Sequence, residues 1–354
     1  NCYLSNRVQQ VEFQGSISSP LTIKTGVPKG SILGPLLFLI YVNDFGRSTD
    51  MFSYMMYADD TTLSSTLCNN YQEGNQNNPT DRLNRELIKV SNWLKVNRLS
   101  LNLSKTTYMV FHSPNRTVPP INLKMDDVNI TKVDSFDFLG ITIDKNLSWK
   151  PHLRKIGQKI SKVIGIMNKI KNYLPSESLK TIYYSLIHCH LLCGVTLWGW
   201  KPNSVEKLQK KAVRVISKSK YNSHTEPLFK QLSILKLADI LKVEEWKFYY
   251  KLAHKCIPKY FQNISLLRNS DLHGHRTRNC YLLVTPRIRC NTSKCALRIR
   301  LPSIINSASP SILEKIQTHS LYGLKFYLKR TYLDNYNYNC SVVNCYICRT
   351  TINT

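Results

Sequence analysis

Short strand-like patterns dominate the first part of the chain. Residues 7–13 alternate apolar and polar side chains, Gly15 and Ser16 favour a turn, and residues 21–24 return as a second strand. Further on, the β-prone run 52–57 ends at two aspartates, and another β-prone run follows them. The alternation therefore predicts antiparallel hairpins in this part of the chain.

Two helical patterns lie among these hairpins. Residues 36–45 are almost entirely apolar and predict a helix buried in a core. The polar stretch 67–79 has no period and predicts a surface loop. Thr80 or Asp81 can cap a second helix, whose apolar residues recur at helical spacing as Leu83, Leu87, Val90 and Leu94. Strands and helices together indicate an α+β fold.

From residue 150 onward the pattern is helical. The first segment predicts one long amphipathic helix, because its apolar residues are separated by steps of three and four. These residues are Leu153, Ile156, Ile160, Val163, Met167, Ile170 and Leu174. Further helices are predicted at about 176–194, 204–217 and 238–255. The chain therefore changes from mixed to all-helical structure near residue 150.

The net charge of the chain indicates a class of binding partner. The 354 residues contain 49 Lys and Arg against 22 Asp and Glu, a formal net charge of +27. An excess that large favours a polyanionic partner, because phosphate contacts release counterions. On the long helix Lys155, Lys159, Lys162 and Lys169 share the face opposite the apolar one, with no acidic residue one turn away. We expect this basic face to bind a nucleic-acid backbone, and a merely solvated face is the alternative.

The 11 cysteines do not indicate a disulfide framework. Their number is odd and the chain is long, so we expect reduced thiols in a nuclear or cytosolic protein without a signal peptide or transmembrane segment. Cys340, Cys345 and Cys348 have part of a zinc-knuckle spacing without the following His, and the tail 336–354 is expected to be disordered. The His and Cys residues within 188–193 are expected to pack in a core rather than hold a metal.

Two adjacent carboxylates are the candidate catalytic groups. Asp59 and Asp60 follow an apolar run and are expected at the exposed tip of a hairpin. Neighbouring carboxylates repel each other unless a cation neutralises them, and their hard oxygen ligands suit Mg²⁺. Metal ions held in pairs by such groups catalyse phosphoryl transfer. A solvated turn is the alternative for the dipeptide alone, and on a strand the two side chains would face opposite sides.

Two motifs lie close together in the first part of the chain. Residues 26–38 read GVPKGSILGPLLF and residues 57–60 read YADD. They resemble the reverse transcriptase palm, and their order and spacing are similar to those of non-LTR, LINE-type retrotransposon enzymes. The resemblance implies an RNA-directed DNA polymerase that adds nucleotides to a primer 3′-OH with two Mg²⁺ ions. It implies an RNA template, a DNA primer and dNTPs as partners, with no membrane and no other small-molecule cofactor.

The resemblance also gives roles to single residues around the two motifs. It implies that Tyr57 and Ala58 contact the nucleotide, and that Lys29, Gly30 and Ser31 contact the template strand and the incoming base. Ser31 is in addition a candidate N-cap for the following helix. Lys29 stands where the family usually has Gln, and an ammonium group cannot accept a hydrogen bond, so template handling is expected to differ.

Two further segments resemble elements of the same family. Residues 101–106 read LNLSKT, and the resemblance implies that Lys105 protonates or neutralises the pyrophosphate leaving group; a surface lysine is the alternative. Residues 138–144 resemble the strand pair that grips the primer end, which implies that role for Leu139 and Gly140. Similarity continues in residues 186–199, 273–278, 298–302 and 320–333.

Taken together, these resemblances imply a right-hand polymerase in four parts. They are a partial palm at 1–149, a basic helical thumb at 150–262, a C-terminal extension at 263–335 and the tail at 336–354. The family's other metal-binding Asp and its fingers have no counterpart before Val42, and the chain begins with Asn1. We therefore expect a fragment of a longer reading frame that is inactive alone, with the third carboxylate outside this chain.

Two other interpretations of the sequence remain open. The chain could be a decayed, non-catalytic copy that binds nucleic acid only through its basic thumb. It could also be a group II intron-type maturase, which carries YADD as well. The maturase loop usually reads GTPQGG, unlike residues 26–31 here.

Overall fold

The computed structural model describes residues 3–28, 30–66, 79–118, 120–200, 204–262, 264, 266–272, 278–288 and 296–336. These residues form helices and two-stranded, mainly antiparallel sheets, which confirms the predicted α+β class. They divide into two compact units. We call Asn1–Met109 with Arg116–Val133 the N-terminal unit, and Val110–Asn115 with Asp134–Thr354 the helical unit. The four predicted parts of the chain remain a prediction.

The N-terminal unit begins with the first predicted hairpin. Its strands are β1 Val8–Gln9, β2 Glu12–Phe13, β3 Ser16–Ile17 and β4 Leu21–Thr22. Strand β2 pairs with β3 and β1 pairs with β4, both antiparallel. Gln14 and Gly15 make the turn with positive φ angles of 48° and 79°. A turn was correctly predicted here, but one residue too late, because Ser16 is already the first residue of β3.

One helix of this unit differs from its prediction. Helix α1 spans Leu33–Tyr41, and a short 3₁₀ turn follows at Phe45–Ser48. Within α1 only Gly34 is buried, and Leu36, Leu39 and Ile40 are 54%, 56% and 65% exposed within the described part of the chain. The predicted burial of 36–45 was therefore wrong for most of α1. A helix that is apolar on every side needs partners on every side, and the described residues cover only a small part of it.

The remaining elements of the N-terminal unit surround a small core. Helix α2 spans Pro79–Val96 and buries Leu83, Leu87 and Val90 as predicted. Two hairpins and two short paired strands complete the unit, with β5 Ser53–Tyr57, β6 Asp60–Ser64, β7 Thr107–Tyr108, β8 Lys124–Met125, β9 Val128–Asn129 and β10 Thr131–Lys132. The core, which we call the N-terminal core, consists of Phe45, Leu87, Val90, Met125 and Ile130.

The helical unit contains one hairpin and most of the helices. The hairpin joins β11 Ser135–Phe138 to β12 Ile141–Asp144. The helices are α3 Lys150–Ile170, α4 Ser176–Tyr183, a π-helical turn Tyr184–His188, α5 Cys189–Leu192, α6 Val195–Trp198, α7 Ser204–Ile216, α8 Glu226–Gln231, α9 Leu237–Ala253, α10 Lys259–Gln262, α11 Asn269–Leu272, α12 Leu297–Asn306, α13 Pro310–Thr318 and α14 Leu321–Asp334. The predicted helices after residue 150 are confirmed, with the π-helical turn inside the predicted helix 176–194.

Two apolar clusters hold the helices together. The larger includes Ile160, Met167, Tyr183 and Trp198, each fully buried. The smaller joins α9 to the last two helices and consists of Val243, Trp246, Ile316, Leu324 and Leu328. A buried ion pair between Arg300 and Glu245 also ties α12 to α9. No helix in the described ranges is long and apolar enough to cross a membrane.

Gln209 on α7 is the polar centre of the larger cluster. Its side chain is fully buried. Its amide nitrogen donates to the Tyr183 hydroxyl and to the Leu235 carbonyl, each at 2.9 Å, and its amide oxygen accepts the Leu237 N–H at 2.9 Å. One side chain therefore satisfies three groups that burial would otherwise leave without a partner.

Replacing Gln209 with Leu should destabilise the helical unit. The substitution leaves these three groups unpaired, and we expect the free energy of unfolding to fall by about 2–4 kcal/mol. Urea denaturation followed by circular dichroism measures the change. The exposed Gln231 at the end of α8 supplies the control, because Gln231→Leu should change stability by no more than about 0.5 kcal/mol. Equal losses in both variants would contradict the role of Gln209.

Candidate functional site

The two candidate carboxylates lie at a two-residue turn. Tyr57 at the end of β5 pairs with Asp60 at the start of β6, so Ala58 and Asp59 alone form the turn. Ala58 has a φ angle of 52°. The predicted hairpin is confirmed with one correction, since the tip consists of Ala58 and Asp59, and Asp60 is already the first residue of β6.

Strand alternation gives this hairpin two different faces. Cross-strand partners lie on the same face and neighbours along a strand on opposite faces. One face carries Met56 and Leu63, which pack against the N-terminal core, and Tyr54, whose ring meets the Phe45 ring edge-on at 5.6 Å. The other face carries Asp60 together with Tyr57, which is 63% exposed. The core thus anchors the hairpin from one side and leaves Asp60 accessible on the other.

The carboxylates of Asp59 and Asp60 are exposed and uncompensated. Among the described residues, neither carboxylate accepts a hydrogen bond or takes part in an ion pair. Two adjacent anionic groups without a cationic partner have the chemistry of a site for a hard cation. Mg²⁺ takes six oxygen ligands and commonly keeps waters and substrate phosphates among them. Two carboxylates therefore fit as part of a magnesium site, and no group of three or more His, Cys, Asp or Glu in the described ranges could hold a metal alone.

A turn organised by Asn102 positions Lys105. The side-chain oxygen of Asn102 accepts the N–H of Lys105 at 3.2 Å and the Ser104 hydroxyl at 2.7 Å, and its carbonyl accepts the Thr106 hydroxyl at 2.9 Å. Leu103 in the same turn packs against the N-terminal core. The amine of Lys105 is exposed. The same core therefore supports both this turn and the carboxylate hairpin.

Hydrogen bonds of Ser31 connect Pro28 to the first turn of α1. The Ser31 hydroxyl accepts the Gly34 N–H at 3.2 Å and donates to the Pro28 carbonyl at 2.7 Å. The N-cap position of α1 is Ile32, so the prediction of Ser31 as the N-cap was off by one residue, although the Ser31 hydroxyl bonds the first turn of the helix. The Ser31 hydroxyl also accepts a hydrogen bond from the hydroxyl of Tyr3. Gly30 has a φ angle of 81°, which favours glycine. Lys29 lies outside the described residues, and so do 67–78, 273–277 and the tail from 337, including its three cysteines.

The hairpin β11–β12 presents Leu139 and Gly140 at its turn. Their φ angles are 47° and 85°, and Leu139 is 46% exposed. Below the turn, the Asp137 carboxylate accepts hydrogen bonds from Lys155 on α3 and from the Thr142 hydroxyl. These two bonds lower the pKa of Asp137. The hairpin is therefore fastened to α3 by charge as well as by packing.

His152 fastens the same hairpin from inside. Its ring is buried, and Nδ1 accepts the backbone N–H of Thr142 at 3.2 Å, which requires the neutral form with the proton on Nε2. Burial lowers the pKa of His152, and the nearby charge of Lys155 lowers it further. His152, Asn102 and Asp137 were not predicted from the sequence. The LNLSKT motif could have drawn attention to Asn102, whereas His152 and Asp137 carry no signal visible in the sequence alone.

The four predicted basic residues of α3 do not have equal surroundings. Lys159, Lys162 and Lys169 are exposed, and no ion pair involves them within the described chain. Lys155 instead contacts Asp137 with an N···O distance of 2.5 Å. At the start of the helix, a shallow depression of about 380 Å³ is lined by Lys150, Pro151, Arg154, Lys155 and Gln158. Of the four predicted lysines, the three that follow Lys155 are therefore the ones open to a ligand.

Comparison with known proteins relates the first part of the chain to a family. Residues 1–143 match the family model described as reverse transcriptase (RNA-dependent DNA polymerase). Residues 1–143 belong to the reverse transcriptase family. The match includes the carboxylate hairpin, the Lys105 turn and the first 3 residues of β12. The predicted family resemblance is thereby confirmed.

Curated proteins similar to this chain come from mobile elements of Drosophila melanogaster. A probable RNA-directed DNA polymerase from transposon X-element is 23% identical over 259 residues, covering 71% of this chain and 28% of the relative. A probable RNA-directed DNA polymerase from transposon BS is 28% identical, covering 66% of this chain and 26% of the relative. The RNA-directed DNA polymerase from mobile element jockey is 26% identical over 267 residues, with coverages of 71% and 28%. The chain thus spans little more than a quarter of the length of these curated relatives. No solved structure is significantly similar to it.

The state of His152 predicts how stability depends on pH. An unfolded His takes up a proton near pH 6.5, whereas the folded protein resists this because the pKa of buried His152 is lowered. The unfolded state therefore binds more protons below about pH 6.5, and stability falls as the pH falls. In His152→Gln, the side-chain oxygen can accept the Thr142 N–H at any pH.

The measurement is the free energy of unfolding of both proteins at about pH 7.5 and about pH 5.5. We expect the loss of stability at the lower pH to be smaller in His152→Gln. Part of the dependence will remain, because burial also lowers the pKa of His188 and His190. An unchanged dependence in the variant would contradict a neutral His152 in the folded state.

Proposed function

We propose that this chain is part of a LINE-type reverse transcriptase that extends a DNA primer along an RNA template. The observation that carries the proposal is the pair of uncompensated carboxylates, Asp59 and Asp60, on a hairpin that the N-terminal core anchors. The relatives named as RNA-directed DNA polymerases support it. Within this proposal, residues 1–149 form part of a right-hand palm, 150–262 the thumb and 263–335 the C-terminal extension.

Asp59 and Asp60 are the proposed metal ligands of the site. When held there, two Mg²⁺ ions would supply positive charge for the attacking primer hydroxyl and for the leaving group. The turn geometry gives Asp59 an exposed carboxylate at the tip, and the outer face of β6 gives Asp60 one beside Tyr57. Tyr57 and Ala58 then contact the nucleotide.

Other residues of the chain bind and orient the substrates. Lys105 supplies a proton or a positive charge to the departing pyrophosphate. Gly30 and Ser31, together with Lys29, contact the template strand and the incoming base. The Ser31 hydroxyl already bonds the Pro28 carbonyl and the Gly34 N–H, so its contribution comes through the loop backbone that it holds. Leu139 and Gly140 grip the primer end, and the basic face of α3 contacts the phosphates of the RNA–DNA duplex.

The proposed metal role of Asp59 is tested in the full-length protein that contains this chain. Asp59→Asn keeps the size of the side chain and removes its charge. We expect Mg²⁺-dependent primer extension to fall by about a thousandfold or more, because the charge that holds the metal is lost. Binding of RNA should stay unchanged.

Asp127→Asn is the matched control for this experiment. Asp127 is an exposed carboxylate at the β8–β9 turn of the same unit, and Asn tolerates its positive φ angle of 60°. This variant should retain full polymerase activity. Polymerisation that survives in Asp59→Asn would overturn the assignment. If the unmodified full-length protein binds nucleic acid but does not incorporate nucleotides, the chain belongs to a binding protein and not to a polymerase.

The proposed duplex contact of α3 predicts a change in salt dependence. Replacing Lys159, Lys162 and Lys169 with Gln should weaken binding of an RNA–DNA duplex by about tenfold near 0.15 M salt. The slope of log affinity against log salt should fall by up to about 0.9 for each phosphate that the variant can no longer neutralise. Fluorescence anisotropy with a labelled duplex measures both quantities.

The control for α3 removes the same charge elsewhere in the helical unit. Lys251, Lys255 and Lys259 are exposed residues at and after the end of α9. Their replacement with Gln should change the affinity and the slope much less than the α3 substitutions do. Equal effects of the two triple variants would show that only net charge matters and would contradict a defined binding surface at α3.

A further inference from the structure

The outer face of α14 combines aromatic and basic side chains. Positions i, i+3, i+4, i+7 and i+8 share one face of a helix. On α14 these positions hold Tyr322, Lys325, Phe326, Lys329 and Arg330, which we call the α14 stripe. The opposite face of the helix is fixed in the smaller apolar cluster by Leu324 and Leu328, both fully buried. The orientation of the stripe is therefore set by the core.

The aromatic rings of the stripe do not pack inside the protein. Tyr322 is 80% exposed and Phe326 is 64% exposed. The two residues stand one turn apart, so their side chains start about 6 Å from each other. Two large rings side by side on an outward helix face are costly to leave in water. Their placement indicates a ligand that presents flat apolar groups.

The charges around these rings are almost all positive. Within the described residues, no ion pair involves Lys325 or Arg330. The amine of Lys329 lies over the Tyr184 ring, 5.9 Å from its centre. Burial, together with the charges of Lys180 and Lys325, lowers the pKa of Lys329.

Acidic groups do little to offset this charge. Within α14 itself, the only acidic residue is Asp334 in the last turn. On neighbouring elements, Glu177 lies 3.8 Å from Lys180, and Glu244 is taken up by Lys247 at 2.7 Å. The stripe therefore combines exposed rings with a positive field that repels its own members, and an anionic ligand would relieve that repulsion.

We propose that the α14 stripe binds single-stranded nucleic acid, with Tyr322 and Phe326 stacking on unpaired bases and the neighbouring cations contacting phosphates. Unpaired bases offer π-faces to aromatic side chains, whereas the bases of a duplex are already stacked on each other. Cations that alternate with aromatic rings suit the alternation of phosphate and base along a strand. This surface lies outside residues 1–143, which carry the family match.

The stripe differs in chemistry from the basic face of α3. That face presents Lys159, Lys162 and Lys169 with the aliphatic Ile166 between them and no aromatic residue. A face with cations alone suits a duplex backbone, and a face with rings and cations suits a single strand. The helical unit would then have two nucleic-acid surfaces with different preferences.

The test measures binding of the whole chain to a labelled single-stranded RNA and to an RNA–DNA duplex. The double variant Tyr322→Ala/Phe326→Ala should bind the single strand at least about tenfold more weakly, because each stacked base contributes to affinity. Its affinity for the duplex should change by less than about twofold. Tyr322→Phe and Phe326→Tyr keep the rings and should bind normally. A single-stranded DNA of the same sequence shows whether the 2′-OH contributes.

Tyr221→Ala is the matched control. Tyr221 is 83% exposed in the loop between α7 and α8, and its loss should leave both affinities unchanged. Thermal unfolding of every variant should match the unmodified chain, because the substituted rings are exposed. Lys325→Gln/Arg330→Gln should lower the salt slope for the single strand.

Three results would overturn the inference. One is unchanged binding of single strands by the Tyr322→Ala/Phe326→Ala variant. Another is an equal loss of single-strand and duplex binding. The third is binding of anionic lipid vesicles that depends on the stripe while binding of single strands does not, since basic aromatic helices can also lie on membranes. If the α3 variant loses duplex binding and the α14 variants lose nothing, this inference fails and the proposed function stands.

Discussion

Repulsion between two adjacent carboxylates is the constraint on which the proposed site depends. Asp59 and Asp60 follow each other at a two-residue turn, and no cation among the described residues neutralises either one. Their position is maintained by packing on the other side of the hairpin, where Met56 and Leu63 contact the N-terminal core. The apolar core thus holds an arrangement that electrostatics alone would oppose. A bound cation would neutralise the two carboxylates, and relief of their mutual repulsion would favour its binding.

The same core also supports the Lys105 turn through Leu103. Packing therefore positions both a negative and a positive group of the proposed reaction from one side. In the helical unit the unbalanced charge is positive, because basic residues are in excess. There Asp137 neutralises Lys155 and fastens the β11–β12 hairpin, while Lys159, Lys162 and Lys169 remain open for phosphates. On α3 the paired lysine thus fixes a hairpin, and the three lysines without an ion pair in the described chain are available to a ligand.

Periodicity in the sequence predicted the elements that have one polar and one apolar side. The apolar faces of α2 and α3 and the β5–β6 hairpin were correctly predicted, since their spacing in the sequence reflects the side that meets the core. For α1 the helix was predicted but its burial was not, because a run that is apolar on every side contains no information about which partners are present. The tip of the hairpin was also shifted by one residue, since the sequence does not reveal that Ala58 adopts a positive φ angle.

The candidate residues were predictable where they belong to motifs. Asp59, Asp60 and Lys105 were named on the YADD and LNLSKT segments, and their catalytic roles remain proposals. The polar contacts of Gln209, His152 and Asp137 could not be predicted, because each depends on partners brought together by folding. Gln209 binds groups 26 and 28 positions away along the chain. A polar residue inside a helix does not show in the sequence whether it faces water or a buried N–H.

The most direct measurement is the location of Mn²⁺ in a structure of the full-length protein with primer, RNA template and a non-reactive nucleotide. Mn²⁺ replaces Mg²⁺ and can be located by its anomalous scattering. The account predicts a metal peak about 2.0–2.3 Å from a carboxylate oxygen of Asp59, with Asp60 or the nucleotide phosphates completing the site. The account would be contradicted if metal peaks lie at the nucleotide while neither Asp59 nor Asp60 binds a metal.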